Sequence, residues 1–556
     1  MKKIGFIFFI GIIFLGNTSN AQTWQWAKAL SDTGNLNLPG KIVVDKMGNT
    51  TAIGSYKGRL TLSPTNFILS NGDYDIYLVR YNDIGQVSWV MSLGGIGDDR
   101  GVGITIDSSG NVLISGRIAQ TVSFGTQSII VNGGGDIFIA KIDSLGNPIW
   151  ARSYGGFDSN PFSEIANDIC TDNLSNIYIT GNFLGSNVDF GNGFSSTSAG
   201  SYSDFFVMKL DSNGTTQWIK RGGSYTGGFD FDEGKCITLT SDQQSVLAGG
   251  FFSGPKFIYQ GIDTILNYDI GTTDNFLISL DINNGSKLFI RSILSNSYNY
   301  LIGISTDVSG NLYITGNCES VSFFSPSTTI AMGGVYKIFL FKYSSSGSFI
   351  WSKGLGNSTF GHSVSDVIVN NLNEIVLVGS FFVHLECDTF QVGGSRSGFI
   401  ATLDSNGVCK NLKSQNFIWG FKTVGIDKFD NLYLQGSTQD TTSFGSIPFI
   451  YNMNAEIFVA KYGFNSLGTD NSNWFSKENS FSVFPNPTGN LININSSSEI
   501  TQLQLFDVFG KLLVEQKSIH STKVQISINS FSNGVYYIKL LSNKGIESQQ
   551  KVVVCR

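Results

Sequence analysis

The sequence predicts an all-β protein: a seven-bladed β-propeller followed by a small immunoglobulin-like β-sandwich. Three observations predict it. The 556 residues include 65 Gly, 44 Phe and 20 Tyr, and only 14% are charged. That composition suits pleated, half-buried strands joined by tight turns. A tryptophan-led pattern recurs seven times over residues 22–462, and the period then breaks before residues 480–556, which hold short strands of their own.

Residues 1–21 read as a signal peptide. Lys2 and Lys3 form a positive start, Ile4 to Leu15 a short apolar run, and Asn17 to Ala21 a small, polar cleavage region. The run is shorter than the about 20 apolar residues a spanning helix needs, which weighs against an uncleaved anchor. No later segment is apolar enough to cross a membrane as a helix, so the chain without its signal is expected to carry no transmembrane segment.

Each repeat opens on a Trp strand, as in Trp150-Ala-Arg-Ser-Tyr-Gly-Gly. A strand ending in Asp follows, then a turn and a strand such as Asn176-Ile-Tyr-Ile-Thr-Gly. After a variable segment comes a strand such as Asp136-Ile-Phe-Ile-Ala-Lys-Ile-Asp, and a short turn leads to the next Trp. The Trp position falls at Trp26, Trp89, Trp150, Trp218, Phe289, Trp351 and Asn411. The other marker falls at Asp75, Asp136, Asp204, Asp274, Lys337, Ser397 and Glu456. Both count seven copies of about four antiparallel strands, the unit of a propeller blade. An open β-solenoid is the structural alternative. About twenty residues lie between the second and third strands of a unit and are expected to add a small hairpin to each blade. Thr23–Leu30 has no partner before it and Glu456–Lys461 none after it, so these two strands are expected to pair and clasp the ring, removing two exposed edges.

Residues 463–479 read as a polar linker. Beyond it, strands are expected at Leu491–Ile494, Gln502–Asp507, Leu512–Glu515, Lys523–Ile528, Gly534–Leu540 and Lys551–Val554.

Two resemblances add to this reading. Asp107-Ser-Ser-Gly-Asn-Val-Leu-Ile-Ser-Gly, Asp307-Val-Ser-Gly-Asn-Leu-Tyr-Ile-Thr-Gly and Asp136-Ile-Phe-Ile-Ala-Lys-Ile-Asp resemble bacterial beta-propeller repeats of the SBBP type. That resemblance implies the fold and no single activity. In residues 480–556, Phe484-Pro-Asn-Pro, Leu505-Phe-Asp-Val-Phe-Gly-Lys-Leu-Leu, Asn533-Gly-Val-Tyr-Tyr-Ile-Lys-Leu and Lys551-Val-Val-Val resemble the type A C-terminal sorting domain of the Bacteroidetes type IX secretion system. Cys555-Arg556 departs from the lysine-rich end usual there. The resemblance implies the translocon and sortase as partners and a secreted product or one attached to the outer face of the outer membrane. An ordinary adhesive sandwich is the alternative.

The residues point to no catalytic, cofactor or metal site. The net charge is −6 and there are no basic clusters, which excludes a nucleic-acid partner. The three His (His362, His384 and His520) form no HxH or HExxH pattern. Asp211-Ser-Asn-Gly and Asp404-Ser-Asn-Gly begin like calcium loops but lack the later ligands, and they read as turn caps. Asp98-Asp99-Arg100 and Asp230-Phe-Asp-Glu read as solvated loop charges rather than an acid–base pair. Gly-Gly pairs at 94–95, 155–156 and 222–223 read as turns, and the Trp series as packing. Phe251, Phe252, Phe381 and Phe382 are weaker packing candidates. The six Cys lie far apart with no CxxC; an exported chain could oxidise some of them, no pairing is assigned, and isolated buried thiols are the leading reading. The expected function is a non-enzymatic binding or adhesion scaffold whose loops meet a surface glycan or protein. A polysaccharide hydrolase and a structural or gliding-associated surface protein are the alternatives.

Overall fold

The structure is a computed structural model. It describes residues 22–464 and 481–554 except 33–37, 64, 158–163, 200–201, 225–229, 268–271, 296–297, 319–321, 326–327, 331–336, 357–360, 417, 439, 450–455, 486–487, 508–511 and 544–546. The signal peptide and the linker expected at 463–479 fall almost wholly outside these residues. The chain divides into two compact units, residues 1–465 and 466–556. The described residues form strands and no helix.

In the first unit, seven antiparallel four-stranded sheets follow one another among the described residues. The first holds Leu38–Val44, Thr50–Tyr56, Asp75–Tyr81 and Val87–Leu93, and the second Arg100–Ile106, Val112–Ile118, Asp136–Ile142 and Pro148–Tyr154. The third to sixth begin at Ile165, Asp232, Asn299 and His362 and repeat that order. Second and third strands such as Val112–Ile118 and Asp136–Ile142 are buried on both faces. This is why Ile, Phe, Tyr and Val fill both of their alternating sets.

Side chains and backbone join the sheets into a closed cycle. Gly101 N donates to Ser55 Oγ (3.2 Å), Ser115 Oγ to the Ala166 carbonyl (3.4 Å), and Ile237 N to Asp168 Oδ2 (2.9 Å). Leu301 N donates to Asn275 Oδ1 and Val364 N to Asn317 Oδ1, both at 2.8 Å. Thr423 Oγ1 donates to Asp366 Oδ2 (2.8 Å), and Gln435 Nε2 returns to the Ile53 carbonyl of the first sheet (3.1 Å).

The seventh sheet is built from both ends of the unit. Gly420–Ile426, Leu432–Thr438 and Glu456–Phe464 take Gln22–Asp32 as their fourth strand. Ala27 lies opposite Ala460, Leu30 opposite Ile457 and Ser31 opposite Glu456, which is the pairing expected from the sequence.

The Trp series has a specific partner. Each ring packs on the glycine that turns the third strand into the fourth in the next sheet: Trp26 on Gly85, Trp89 on Gly146, Trp150 on Gly214, Trp218 on Gly285, Phe289 on Gly347 and Trp351 on Gly407. These glycines have positive φ, between +67° and +91°. A Cβ on Gly146 would stand 3.0 Å from the Trp89 ring. The indoles of Trp26, Trp89 and Trp351 also donate to the same turns, at the carbonyls of Asp83, Ser144 and Ser405.

The expected insertion hairpins are present, and they stitch sheets together. Arg59–Ser63 with Asn66–Leu69, inserted in the first sheet, pairs with the fourth strand of the seventh. The hairpin Lys256–Tyr259 with Asp263–Leu266 extends the third sheet in the same way, and Ser322–Ser325 with Thr328–Ile330 extends the fourth. In the sixth sheet the insertion is a continuous extension of Ile375–Cys387 and Phe390–Leu403. That extension brings Cys387 beside Cys409 as a disulfide with Cα atoms 5.9 Å apart, inside the usual range. The expectation of isolated thiols is therefore corrected for this pair. The two cysteines occupy different places in one repeat, so aligning repeats does not bring them together. Cys170 and Cys236 are free thiols.

The second unit is one sheet among the described residues: Phe481–Phe484, Leu491–Asp507, Gly534–Ser542 and Glu547–Val554 in that order, with Leu512–Ser527 also paired to Leu491–Asp507. The strands expected separately at 491–494 and 502–507 are one strand, as are those at 512–515 and 523–528. Register breaks between Asn495 and Gln502 take the place of the expected turns. Ile492, Ile494, Leu503, Leu505, Ile538 and Val552 fill the core.

Candidate functional site

The corners where each fourth strand hands the chain to the next sheet concentrate buried polar groups. The third strands open on Asp75, Asp136, Asp204, Asp274 and Glu456, all at most 1% exposed. The start of the next innermost strand supplies Asp99, Glu164, Asp232, Asn299 and His362, also buried. Between the two sits a glycine. A Cβ on Gly94 would stand 2.6 Å from Asp75 Oδ1 and 2.9 Å from Asp99 Oδ2. A Cβ on Gly155 would meet Glu164 Oε2 at 2.7 Å and Asp136 Oδ1 closer still. The Gly-Gly pairs thus make room for paired carboxyl groups. Asp99 and Asp232 are also not solvated loop charges. Asp99 accepts from the Gly95 and Ala119 amides and Asp232 from the Ser224 amide, each at 2.7 Å. These backbone donors replace the water that an exposed loop would have offered.

Burial pushes Asp75 up to about 6, and Asp136 and Asp204 to about 7. Asp232 is also raised by burial, with Asp204 adding to it. A carboxyl group raised in the folded chain stabilises the fold fully below its unfolded value near 3.8, and that contribution is lost as pH rises through the folded value. The ring should therefore lose stability between about pH 4 and pH 7. Asp136→Asn should remove on the order of 2–3 kcal/mol of the stability difference between pH 5 and pH 8. Urea unfolding at the two pH values measures it, and an unchanged difference would contradict the assignment.

The turn aspartates are caps, as expected. Asp211 Oδ1 accepts from the Asn213 and Thr215 amides at 2.9 Å, and Asp404 Oδ1 from Asn406 (2.9 Å) and Val408 (3.0 Å). Asp98 pairs with Arg100 and Arg117. His384 lies 3.9 Å from Glu386, and His520 3.3 Å from Glu499 in the second unit. Among the described residues no three His, Cys, Asp or Glu side chains converge as a metal site.

At the corner between the fifth and sixth sheets the surface opens into a cavity of about 330 Å³. Its lining includes Tyr298, Tyr300, Asn317, His362, Ser363, Ser380 and Phe382. Phe252 and Phe381 are fully buried, whereas Tyr298, Tyr300 and Phe382 are 43%, 38% and 42% exposed. Phe251 supports Tyr300 edge-on, with ring centroids 5.3 Å apart. The Arg396 guanidinium lies over Phe382 and, at 4.3 Å, over the exposed Trp419. Such a surface presents apolar ring faces beside hydroxyl and amide groups, which suits a ligand with both kinds of surface. Sequence reasoning singled out Phe382 and His362 here but missed Tyr298, Tyr300 and Asn317. Tyr300 and Asn317 stand on regular strands of the fifth sheet, where the alternating pattern marks the strand but not an exposed binding residue.

These features define the class: an all-β repeat protein with a compact second β unit. Residues 482–555 match the secretion system C-terminal sorting domain. A tail of this kind implies export by the type IX secretion system, interaction with its machinery, and a cell-surface or secreted destination. The chain is also 24% identical over 437 residues to an uncharacterized WD repeat-containing protein of Acanthamoeba polyphaga mimivirus, covering 64% of this chain and 31% of that protein. Similar solved structures include the WD40 β-propeller domain of Doa1 (TM-score 0.40, 8% identity, 80% of this chain and 98% of that one). They also include PorZ, a surface component of the type IX secretion system of Porphyromonas gingivalis (TM-score 0.20, 12% identity, 96% and 87%). No helix among the described residues is long and apolar enough to cross a membrane.

Proposed function

We propose that residues 22–462 form a seven-bladed propeller of the SBBP type that works as a non-enzymatic binding scaffold on the cell surface or beyond it. Residues 480–556, a small sandwich folded at its register breaks, engage the type IX translocon and sortase. The ligand is a surface glycan, met at the corner between the fifth and sixth sheets. One observation carries this reading: Tyr298, Tyr300 and Phe382 keep about two-fifths of their surface open beside Asn317, Ser363 and Ser380. Ring faces next to hydrogen-bonding groups match the alternating apolar and hydroxyl surfaces of a sugar.

The hydrolase alternative needs two carboxyl groups open to substrate and water. The acid pairs described above are sealed, and the open corner is lined by no carboxylate. The test is a glycan array on the purified full chain, with released sugar monitored in parallel. Binding without turnover is expected, and Tyr300→Ala or Phe382→Ala should each weaken it about tenfold, the equivalent of about 1.4 kcal/mol. Wild-type affinity in both variants would overturn the assignment of this corner, and turnover would overturn the scaffold reading.

A further inference from the structure

We propose that the axis of the seven-sheet ring is a binding site for a small oxyanion, a carboxylate or phosphate group, anchored on Lys422 with Lys235 and Lys41 beside it. This site is separate from the open corner and does not depend on it.

The argument starts from a repeated irregularity. All seven innermost strands break register at the same place: between Pro39 and Ile42, Gly101 and Gly103, Ala166 and Asp168, Gly234 and Cys236, Leu301 and Gly303, Val364 and Asp366, and Phe421 and Thr423. A bulge leaves its extra residue out of the ladder and re-aims the side chain. Three of the residues left out are Lys41, Lys235 and Lys422. Lys41 shows where they meet, because its ammonium reaches Asp168 of the third sheet at 2.6 Å, past the whole second sheet. Side chains at this level therefore span the axis.

Most charges at this level are already committed. Asp168 accepts from the Ile169 and Ile237 amides at 2.9 Å as well as from Lys41. Asp366 accepts from the Val367 and Val424 amides (2.9 and 3.1 Å) and from Thr423 Oγ1 (2.8 Å). Burial opposes the charge on Lys41, but Asp168 and Asp366 outweigh it and hold that ammonium above its usual range. Lys235 contacts Glu233 on its own strand.

Lys422 differs. The residue is exposed, and its ammonium makes no hydrogen bond or ion pair among the described residues. The protein walls around it partly desolvate the ammonium and push it down although water reaches the side chain, Lys41 and Lys235 add to that, and Asp366 opposes them. An ammonium held among like charges, with backbone amides already occupying the nearby carboxylates, is complementary to an oxyanion.

Calorimetry on the full chain tests this with four probes: sodium phosphate, sodium acetate, a glucuronate-ended oligosaccharide and its neutral counterpart. Binding of phosphate or acetate, weakening as sodium chloride is raised, is the expected result for a free ion. Binding of the acid-ended oligosaccharide alone would assign the oxyanion to a larger ligand. In either case Lys422→Gln should lower affinity at least about tenfold, while Lys422→Arg and the exposed-turn variant Lys46→Gln retain it. Unchanged affinity in Lys422→Gln, with its melting temperature preserved, would overturn the proposal. So would the absence of binding by all three acidic probes.

Discussion

Removing residues 22–32 will destabilise the whole first unit and not only its seventh sheet. The deletion takes away the strand that lies along Glu456–Phe464 and with it the buried side chains of Trp26 and Leu30. Fully burying a large apolar side chain contributes about 1.5–3 kcal/mol. These two, with the ladder and the Ser31–Glu456 hydrogen bond (2.8 Å), place the loss on the order of 5 kcal/mol or more. The stitched hairpin at Arg59–Leu69 loses its partner as well, and Gly85 loses the Trp26 ring that packs on it. The first unit of the truncated chain should therefore melt about 5 °C or more below that of the parent, in one transition. A truncation that melts with the parent would mean that the ring does not depend on its clasp.

The second large effect concerns delivery. The sorting module spans residues 482–555 and forms a compact unit with its own core, so it is removable without cutting a strand of the ring. Deleting residues 480–556 should leave a first unit that folds and melts as before but stays on the periplasmic side of the outer membrane. Protease added to intact cells reads this directly. Digestion of the parent with protection of the deletion is expected, and equal digestion would show that export does not use the tail. Leu503→Asp, which puts a charge into the core of the second unit, should reproduce the deletion by unfolding the module.

The repeat was legible because it has two chemically distinct markers. A Trp or Phe meets a turn glycine in the next sheet at six of the seven positions, and an acid opens the third strand in five of the seven sheets, so both leave a trace in most copies of the pattern. The clasp was legible for the same reason, since counting both markers left one unpaired strand at each end. Other features leave no such trace. Cys387 and Cys409 pair within one repeat through a hairpin extension that other repeats lack. Asp99 and Asp232 looked solvated because the amides that receive them, at Gly95 and Ser224, are backbone groups without a sequence signature. The three axial lysines stand at bulges, which shift a side chain to the other face of the strand without changing its composition. The open corner is assembled mostly from the ends of regular strands in two sheets, where alternation reveals the strand but not which of its residues stay exposed. The sorting module was readable through its motifs, yet its expected six short strands are longer and fewer.

Amide hydrogen exchange at residues 24–31 tests the closed ring most directly. A strand that closes the ring opens only when the ring does, so these amides should be protected as strongly as those of Asp75–Tyr81 and Asp136–Ile142 in the middle of their sheets. Exchange at the rate of a fraying terminus, with the other sheets still protected, would contradict closure by Gln22–Asp32.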